Sequence, residues 1–283
     1  MTDQPLPPVP PHPEPPRQAP SSNARLGSRA LAVTVSVLGG IALVVPAAGT
    51  AFATVASASF DRSRDTVSAD AAGVDLVDLT VPAGSMTVRF DDVDEVTLDA
   101  PSAARWSLVR DGSSLVVDRG NLTSLFGIGA WGDDGNAILT LPRSLEGVDL
   151  DVDLLAGGAD IEGDFGAVVS EVDAGFLDIE GSADTVEARM SAGGSSYDLA
   201  DVQSASFDIS AGGVSADFTG EAPEAVDVTL SAGSLDLTVP DETYAVTTSG
   251  DFGDVDNGLD TDPSAPRTID VTTDAGSVSL SAG

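Results

Sequence analysis

The chain has 283 residues, no cysteine and no lysine, 12 arginines against 46 acids, and one histidine, His12. Disulfides, thiolate or histidine metal sites, Ser-His-Asp and Cys-His pairs and Schiff-base chemistry are therefore excluded from its body. A net charge of −34 also excludes nucleic acid, which needs a basic footprint, and favours cations and basic peptides as partners.

In chain order, residues 1–29 begin as a proline-rich tail, "MTDQPLPPVPPHPEPPRQAP", extended and solvated, with His12 an exposed side chain. Its PxxP spacing is that of a solvated spacer more than of a docking motif. No charge occurs from Ala30 to Phe60, with Arg17, Arg25 and Arg29 before the run and Asp61 after it. That pattern predicts a transmembrane anchor over 30–56, N-terminus cytoplasmic and C-terminal part extracellular at the cell membrane. The rival reading is a signal peptide, because Ala51–Ala53 and Ala56–Ala58 resemble cleavage sites. Residues 57–73 read as a polar linker. Once Asp3, Glu14 and the three N-terminal arginines are set aside, 44 acids and nine arginines remain, a net charge of about −35.

From 74 to 283 the chain is repetitive. Ala-Gly pairs end at Gly84, Gly157, Gly175, Gly193, Gly212, Gly233 and Gly276, with central steps of 18, 18, 19 and 21 residues. The last interval spans about two steps, with a degenerate copy at Gly250 between. Apolar residues alternate on both sides of each pair: Val226, Val228 and Leu230, then Leu235, Leu237 and Val239. Period-two alternation predicts half-buried strands. The phase slips by one at each Ser-Ala-Gly, so the chain must bend there, with Ala232 expected to face inward and Gly233 to take the corner. The expectation is an all-β, β-solenoid or β-helix-like domain of 18–21-residue repeats, coils stacked in parallel; a sandwich or prism of antiparallel hairpins is the alternative. Val109–Val117 carries an Asp-Gly of the antiparallel hairpin type.

The strings "LTVPAGSMTVRFDDVDEVTLDA" and "LTLPRSLEGVDLDVDLLAGGADIEGDFG", followed by serial "SAG" strand pairs, resemble the bacterial β-strand-repeat domains called putative adhesins, a domain of unknown function. The resemblance implies a membrane-anchored envelope protein with a repetitive β fold, in a family where some relatives are linked to envelope stress from antimicrobial peptides. It brings no catalytic residues.

Three candidate sites stand out. Outward aspartates, Asp149, Asp151, Asp153, Asp173, Asp178, Asp208, Asp227, Asp236 and Asp270, would form ladders on a stacked sheet that collect divalent cations or cationic peptides, or simply keep the surface solvated. Asp251, Asp254, Asp256, Asp260 and Asp262 crowd one loop that could offer oxygens to Ca2+, although the spacing fails the EF-hand pattern. Leu125, Phe126, Ile128 and Trp131 concentrate apolar bulk among glycines, as a contact patch or as a cap on the stack. The function expected is non-enzymatic adhesion, envelope sensing or scaffolding. The partner would be an envelope component, a cationic peptide or a protein, and no cofactor is required. The alternative is a polysaccharide-active β-helix enzyme working through two carboxylates.

Overall fold

The computed structural model describes residues 64–101, 105–119 and 136–283. All lie in the unit Asp61–Gly283. The tail, the charge-free run at 30–56 and the patch at Leu125, Phe126, Ile128 and Trp131 lie outside the described residues. Among those described, no helix is long and apolar enough to cross a membrane.

Nineteen strands account for most of the described chain. The first is β1 (Arg64–Asp70), in a stretch expected as part of the polar linker, which pairs antiparallel with β4 (Glu95–Pro101). Between them run β2 (Leu76–Val81) and β3 (Ser85–Asp91). Then come β5 (Trp106–Asp111), β6 (Ser114–Arg119) and β7 (Ala137–Pro142), a 3-10 turn, and β8 (Val148–Leu154). Two long strands follow, β9 (Gly157–Val172) and β10 (Gly175–Met190). The regular copies continue as β11 (Gly193–Ala200), β12 (Ser204–Ile209), β13 (Gly213–Thr219), β14 (Ala225–Leu230) and β15 (Ser234–Val239). The C-terminal part is β16 (Tyr244–Ser249), β17 (Phe252–Asn257), β18 (Arg267–Thr273) and β19 (Ala275–Ala282).

All nineteen join one large mixed sheet, and the register resolves it into two runs. One is β5, β6, β2, β8, the C-terminal halves of β9 and β10, then β12, β14, β18 and β16. The other is β1, β4, β7, β3, the N-terminal halves of β9 and β10, then β11, β13, β15, β19 and β17. Copies pair in parallel. Among the described residues, antiparallel pairing is confined to β1 with β4, β4 with β7, and the β5–β6 hairpin, which turns at Gly112-Ser113 just after Asp111. Inward side chains of both runs share one apolar cluster. Its aromatic contacts cross between the runs: Tyr197 of β11 meets Phe207 of β12 at 5.8 Å between ring centres, and Phe207 meets Phe218 of β13 at 6.3 Å. Tyr197 is fully buried, and its hydroxyl is within 2.7 Å of the Ser170 hydroxyl, so its polar tip is satisfied inside the core.

Leu230 and Leu235 are both buried while Ser231, Ala232 and Gly233 are exposed. The corner alanine thus turns outward at Ala232 and Ala156 and is at most half-buried at Ala83, Ala174 and Ala211. This corrects the inward placement expected for it. The reason is the five-residue step between inward side chains, which leaves four residues between them, the first three of which round the outside of the bend. Gly233 has φ +125°, and a Cβ there would fall 2.1 Å from the carbonyl oxygen of Gly212 in the neighbouring copy. The corner glycines therefore form a column in which backbone packs on backbone, and no side chain fits.

The order of copies in space departs from chain order at both ends. The β2–β3 copy lies between β6–β7 and β8–β9, and Gly84 stacks on Gly157, 73 residues away. At the other end β18–β19 slips between β14–β15 and β16–β17. Gly276 therefore stacks directly on Gly233, and the degenerate copy at Gly250 lies outside it, beside Thr273, rather than between them.

Candidate functional site

Outward side chains of the first run fall into rows set by the corner. Six residues before each corner glycine, the register aligns Asp78, Asp151, Val169, Glu187, Ser206, Asp227 and Asp270. Four residues before it, the row reads Thr80, Asp153, Glu171, Arg189, Asp208, Thr229 and Thr272, with Asp118 of β6 opposite Thr80. Neighbouring strands are ~4.8 Å apart, so these carboxylates repel one another unless a cation intervenes.

The repulsion is concentrated where β6, β2, β8 and β9 meet. The Asp78 carboxyl is raised above the ordinary carboxylate range, first by partial burial and then by Asp151, Asp153 and Asp118. Partial burial also raises Asp153, followed by Glu171, Asp173 and Asp151. Five carboxylates on four strands, with Asp173 in the bend just after β9, thus form a field that favours a positive group at its centre. Of these, Asp151, Asp153 and Asp173 were sequence candidates; Asp78, Asp118 and Glu171 were not. The missing signal was available for Asp78, which stands at the same offset from Gly84 as Asp151 from Gly157.

The remaining candidates separate. Asp149 accepts the backbone N–H of Ala167 at 2.8 Å, which gives it a structural role at the β8–β9 bend. Arg189 breaks the second row between Glu171 and Asp208 and pairs with Glu187. Asp227 and Asp270 are direct cross-strand neighbours farther along the same face. Asp178 and Asp236 belong to the second run, three strands apart in one row through Ser196 and Ser215. In the acid-rich loop, Asp254 and Asp256 project outward from β17, while Asp251, Asp260 and Asp262 lie off the strands, exposed. Asp262 accepts both the backbone N–H and the hydroxyl of Ser264, at 2.8 and 2.7 Å. These bonds hold its carboxyl below the ordinary range. Among the described residues no group of three or more acids is gathered closely enough to hold a metal ion.

The second run carries the other notable relief. Phe176, in the row just after the corner, is 73% exposed, and its ring leans over Gly194. An open groove of about 440 Å³ runs beside it, with Asp160, Asp178 and Asp236 among its lining residues.

No protein-family model matches the chain, and no curated protein does. Solved structures do match. A putative cell adhesion protein from Clostridium sporogenes aligns over 78% of this chain and 99% of its own, at 9% identity and TM-score 0.35. A putative adhesin from Bacteroides fragilis aligns over 78% and 98%, at 10% identity and TM-score 0.38. A putative adhesin from Parabacteroides distasonis does so over 78% and 98%, at 13% identity and TM-score 0.30.

Proposed function

We propose that this chain is a membrane-anchored, exported, non-enzymatic binding protein of the adhesion type. Its stacked copies form a β-solenoid that displays acidic faces to cationic partners outside the cell. The observation that carries it is the field of Asp78, Asp118, Asp151, Asp153 and Glu171, held in cross-strand register with Asp173 in the adjoining bend, and with two of its carboxyls raised. Holding like charges together costs stability unless a ligand offsets it. A cationic peptide fits better than a chelated ion, because no three acids converge on one point among the described residues. Export rests on the charge-free run Ala30–Phe60 behind three arginines.

The test is titration of the full-length chain with a labelled oligolysine, against a variant carrying Asp78→Asn, Asp151→Asn, Asp153→Asn and Glu171→Gln. Binding should weaken at least tenfold in the variant and fall with added salt. Equal binding by the variant would defeat the assignment of this face. Protease added to intact cells should remove the β domain; protection of that domain would defeat the topology.

A further inference from the structure

The corner glycines come in two kinds. Gly157, Gly193 and Gly212 hold φ between +116° and +124°, and a Cβ on any of them would meet neighbouring backbone at 2.0 to 2.5 Å. The glycine that follows each, Gly158, Gly194 and Gly213, has no such excuse. None has a left-handed φ; a Cβ would have an ordinary contact of 3.7 Å at Gly158, and a tight one of 3.2 Å to the Phe176 ring at Gly194 and of 3.3 Å to the movable Ser234 hydroxyl at Gly213, with no backbone atom in the way. The copies at Gly233 and Gly276 place Ser234 and Ser277 in the same row. Glycine inside a strand weakens it, and where the backbone does not demand it, it marks a place kept clear for close approach.

What is kept clear is the groove. The row reads Gly158, Phe176, Gly194, Gly213, Ser234 across successive strands. Phe176 therefore stands as a single aromatic wall over a floor of bare backbone. It is 73% exposed, in a chain with few aromatics, where the inward positions could have buried it. Along the groove runs the next row, Asp160, Asp178, Ser196, Ser215 and Asp236. The groove thus combines an aromatic face with carboxylates on one rim, inside a protein of net charge −34. That combination matches a lysine or arginine side chain, whose stem lies on an apolar face and whose charge takes both the ring and a carboxylate. It does not match a second copy of this chain, which would bring like charge, nor an acidic glycan.

We propose that this groove holds an extended, lysine- or arginine-bearing peptide segment of a partner protein, running across the strands along the Phe176 ring and over Gly213. Its cations rest on Phe176 and the Asp160, Asp178 and Asp236 carboxylates. The inference rests on the cationic partner proposed above and adds a second site to it, on the opposite run of strands. The spacing also specifies the ligand. Asp178 and Asp236 are three strands apart, ~14 Å at ~4.8 Å per strand, and four residues of extended chain cover ~13–14 Å. Cations at positions i and i+4, on one side of an extended segment, reach both.

The experiment uses the full-length chain and the fluorescent heptapeptide TKTVTKT, with TKTVKTT as a spacing control and the doubly acetylated form as a neutral control. Anisotropy should show TKTVTKT bound more tightly than TKTVKTT, by about threefold, and no binding of the acetylated form. Phe176→Ala should weaken binding about fivefold. Gly213→Val, which fills the floor with a residue suited to a strand, should weaken it at least tenfold at an unchanged thermal midpoint. If the midpoint falls, Phe176→Ala decides alone. The quadruple variant of the opposite face should retain this peptide within about twofold. Wild-type binding by Phe176→Ala overturns the groove; if the quadruple variant then loses the peptide, the acidic-face reading survives without it. No binding of any lysine peptide overturns both. Equal binding of the acetylated peptide, or of a neutral oligosaccharide, overturns the cationic ligand.

Discussion

Gly212 and Gly213 are adjacent, chemically identical and placed on opposite sides of a structural distinction, so replacing each by alanine tests how the stack is held. At Gly212, φ is +116°, and a Cβ would sit 2.5 Å from the Gly193 carbonyl oxygen, 2.9 Å from the Met190 sulfur and 3.0 Å from the Gly193 nitrogen. Two of these are backbone atoms, and the Gly212 carbonyl itself accepts from Ser234 N at 2.9 Å, so the copy is pinned on both sides. The backbone region alone costs ~1–3 kcal/mol for a residue with a Cβ, and separating the copies adds more. Gly212→Ala should lose about 3 kcal/mol or more, a fall of roughly 6–12 °C in the thermal midpoint for a domain of this size. At Gly213 the nearest atom to a Cβ is the flexible Ser234 hydroxyl at 3.3 Å, and φ is unconstrained. Gly213→Ala should be neutral or stabilising by up to ~1 kcal/mol, because the unfolded chain loses freedom. The assay is thermal unfolding of the full-length chain followed by circular dichroism in the strand band. Equal losses for the two variants, or a larger loss for Gly213→Ala, would refute the glycine column as the device that sets copy spacing.

Other perturbations follow from the same geometry. Asp153→Asn should raise stability near pH 7 by ~0.2–1 kcal/mol, since it removes cross-strand repulsion. A carboxyl raised in the folded state costs stability above its folded pKa, and the cost disappears as pH falls toward the unfolded value near ~3.9. The variant's advantage should therefore vanish in acid, and shrink at ~1 M salt, where the Debye length is ~3 Å; an advantage constant with pH would refute the charge origin. Asp262 has the opposite sign: its lowered pKa contributes stability above the unfolded value and loses it as pH falls through the folded one. Ser264→Ala should accordingly lower the midpoint at neutral pH and converge with wild type in strong acid. Leu235→Ala, fully buried, should lose ~2–5 kcal/mol by leaving a cavity between the runs. Tyr244 donates its hydroxyl to the Pro240 carbonyl at 2.9 Å, and burial pushes its pKa up to about 12. Tyr244→Phe should cost ~0.5–1.5 kcal/mol, with tyrosinate absorbance in wild type showing both tyrosines titrating late, because burial raises Tyr197 as well.

The alternation around each Ala-Gly pair made the strands, the bend and the inward residues readable, because period two and a repeated offset are local properties of sequence. Val226, Val228, Leu235 and Leu237 are buried as that pattern requires. Direction at the corner was not readable: a phase slip fixes that the chain turns, but not whether Ala232 rounds the inside or the outside. The copy order at the ends was hidden for a different reason. Stacking β19 on β15 and β3 on β9 joins residues 43 and about 73 positions apart, and the intervening strands conceal the contact. The acid field suffered the same way. Asp118 arrives from β6 and Glu171 from the far half of β9, neither of which aligns with Asp151 by inspection of one copy. The groove glycines were visible as "GG", yet only φ separates the member the fold needs from the one it does not.

The tucked ends bear on why so many acids are present. A stack of parallel strands ends in edges that invite further pairing, and repeat proteins need terminal copies that do not propagate. Here the last copy in sequence is buried inside, and the edge is given to β16 and β17, whose outward residues include Thr247, Asp254 and Asp256. Polar and acidic side chains at an edge discourage a second chain from adding a strand. That role is complete with the few acids on the terminal copy. It does not account for Asp78, Asp151, Asp153 and Glu171, which lie on the face of interior strands, where pairing on both sides is already satisfied and repulsion only costs stability. Nor does it account for an exposed Phe176 flanked by glycines that the backbone could do without. Protection of the edge accounts for the acids at the end of the stack, and the cationic ligand proposed above would account for those along its faces.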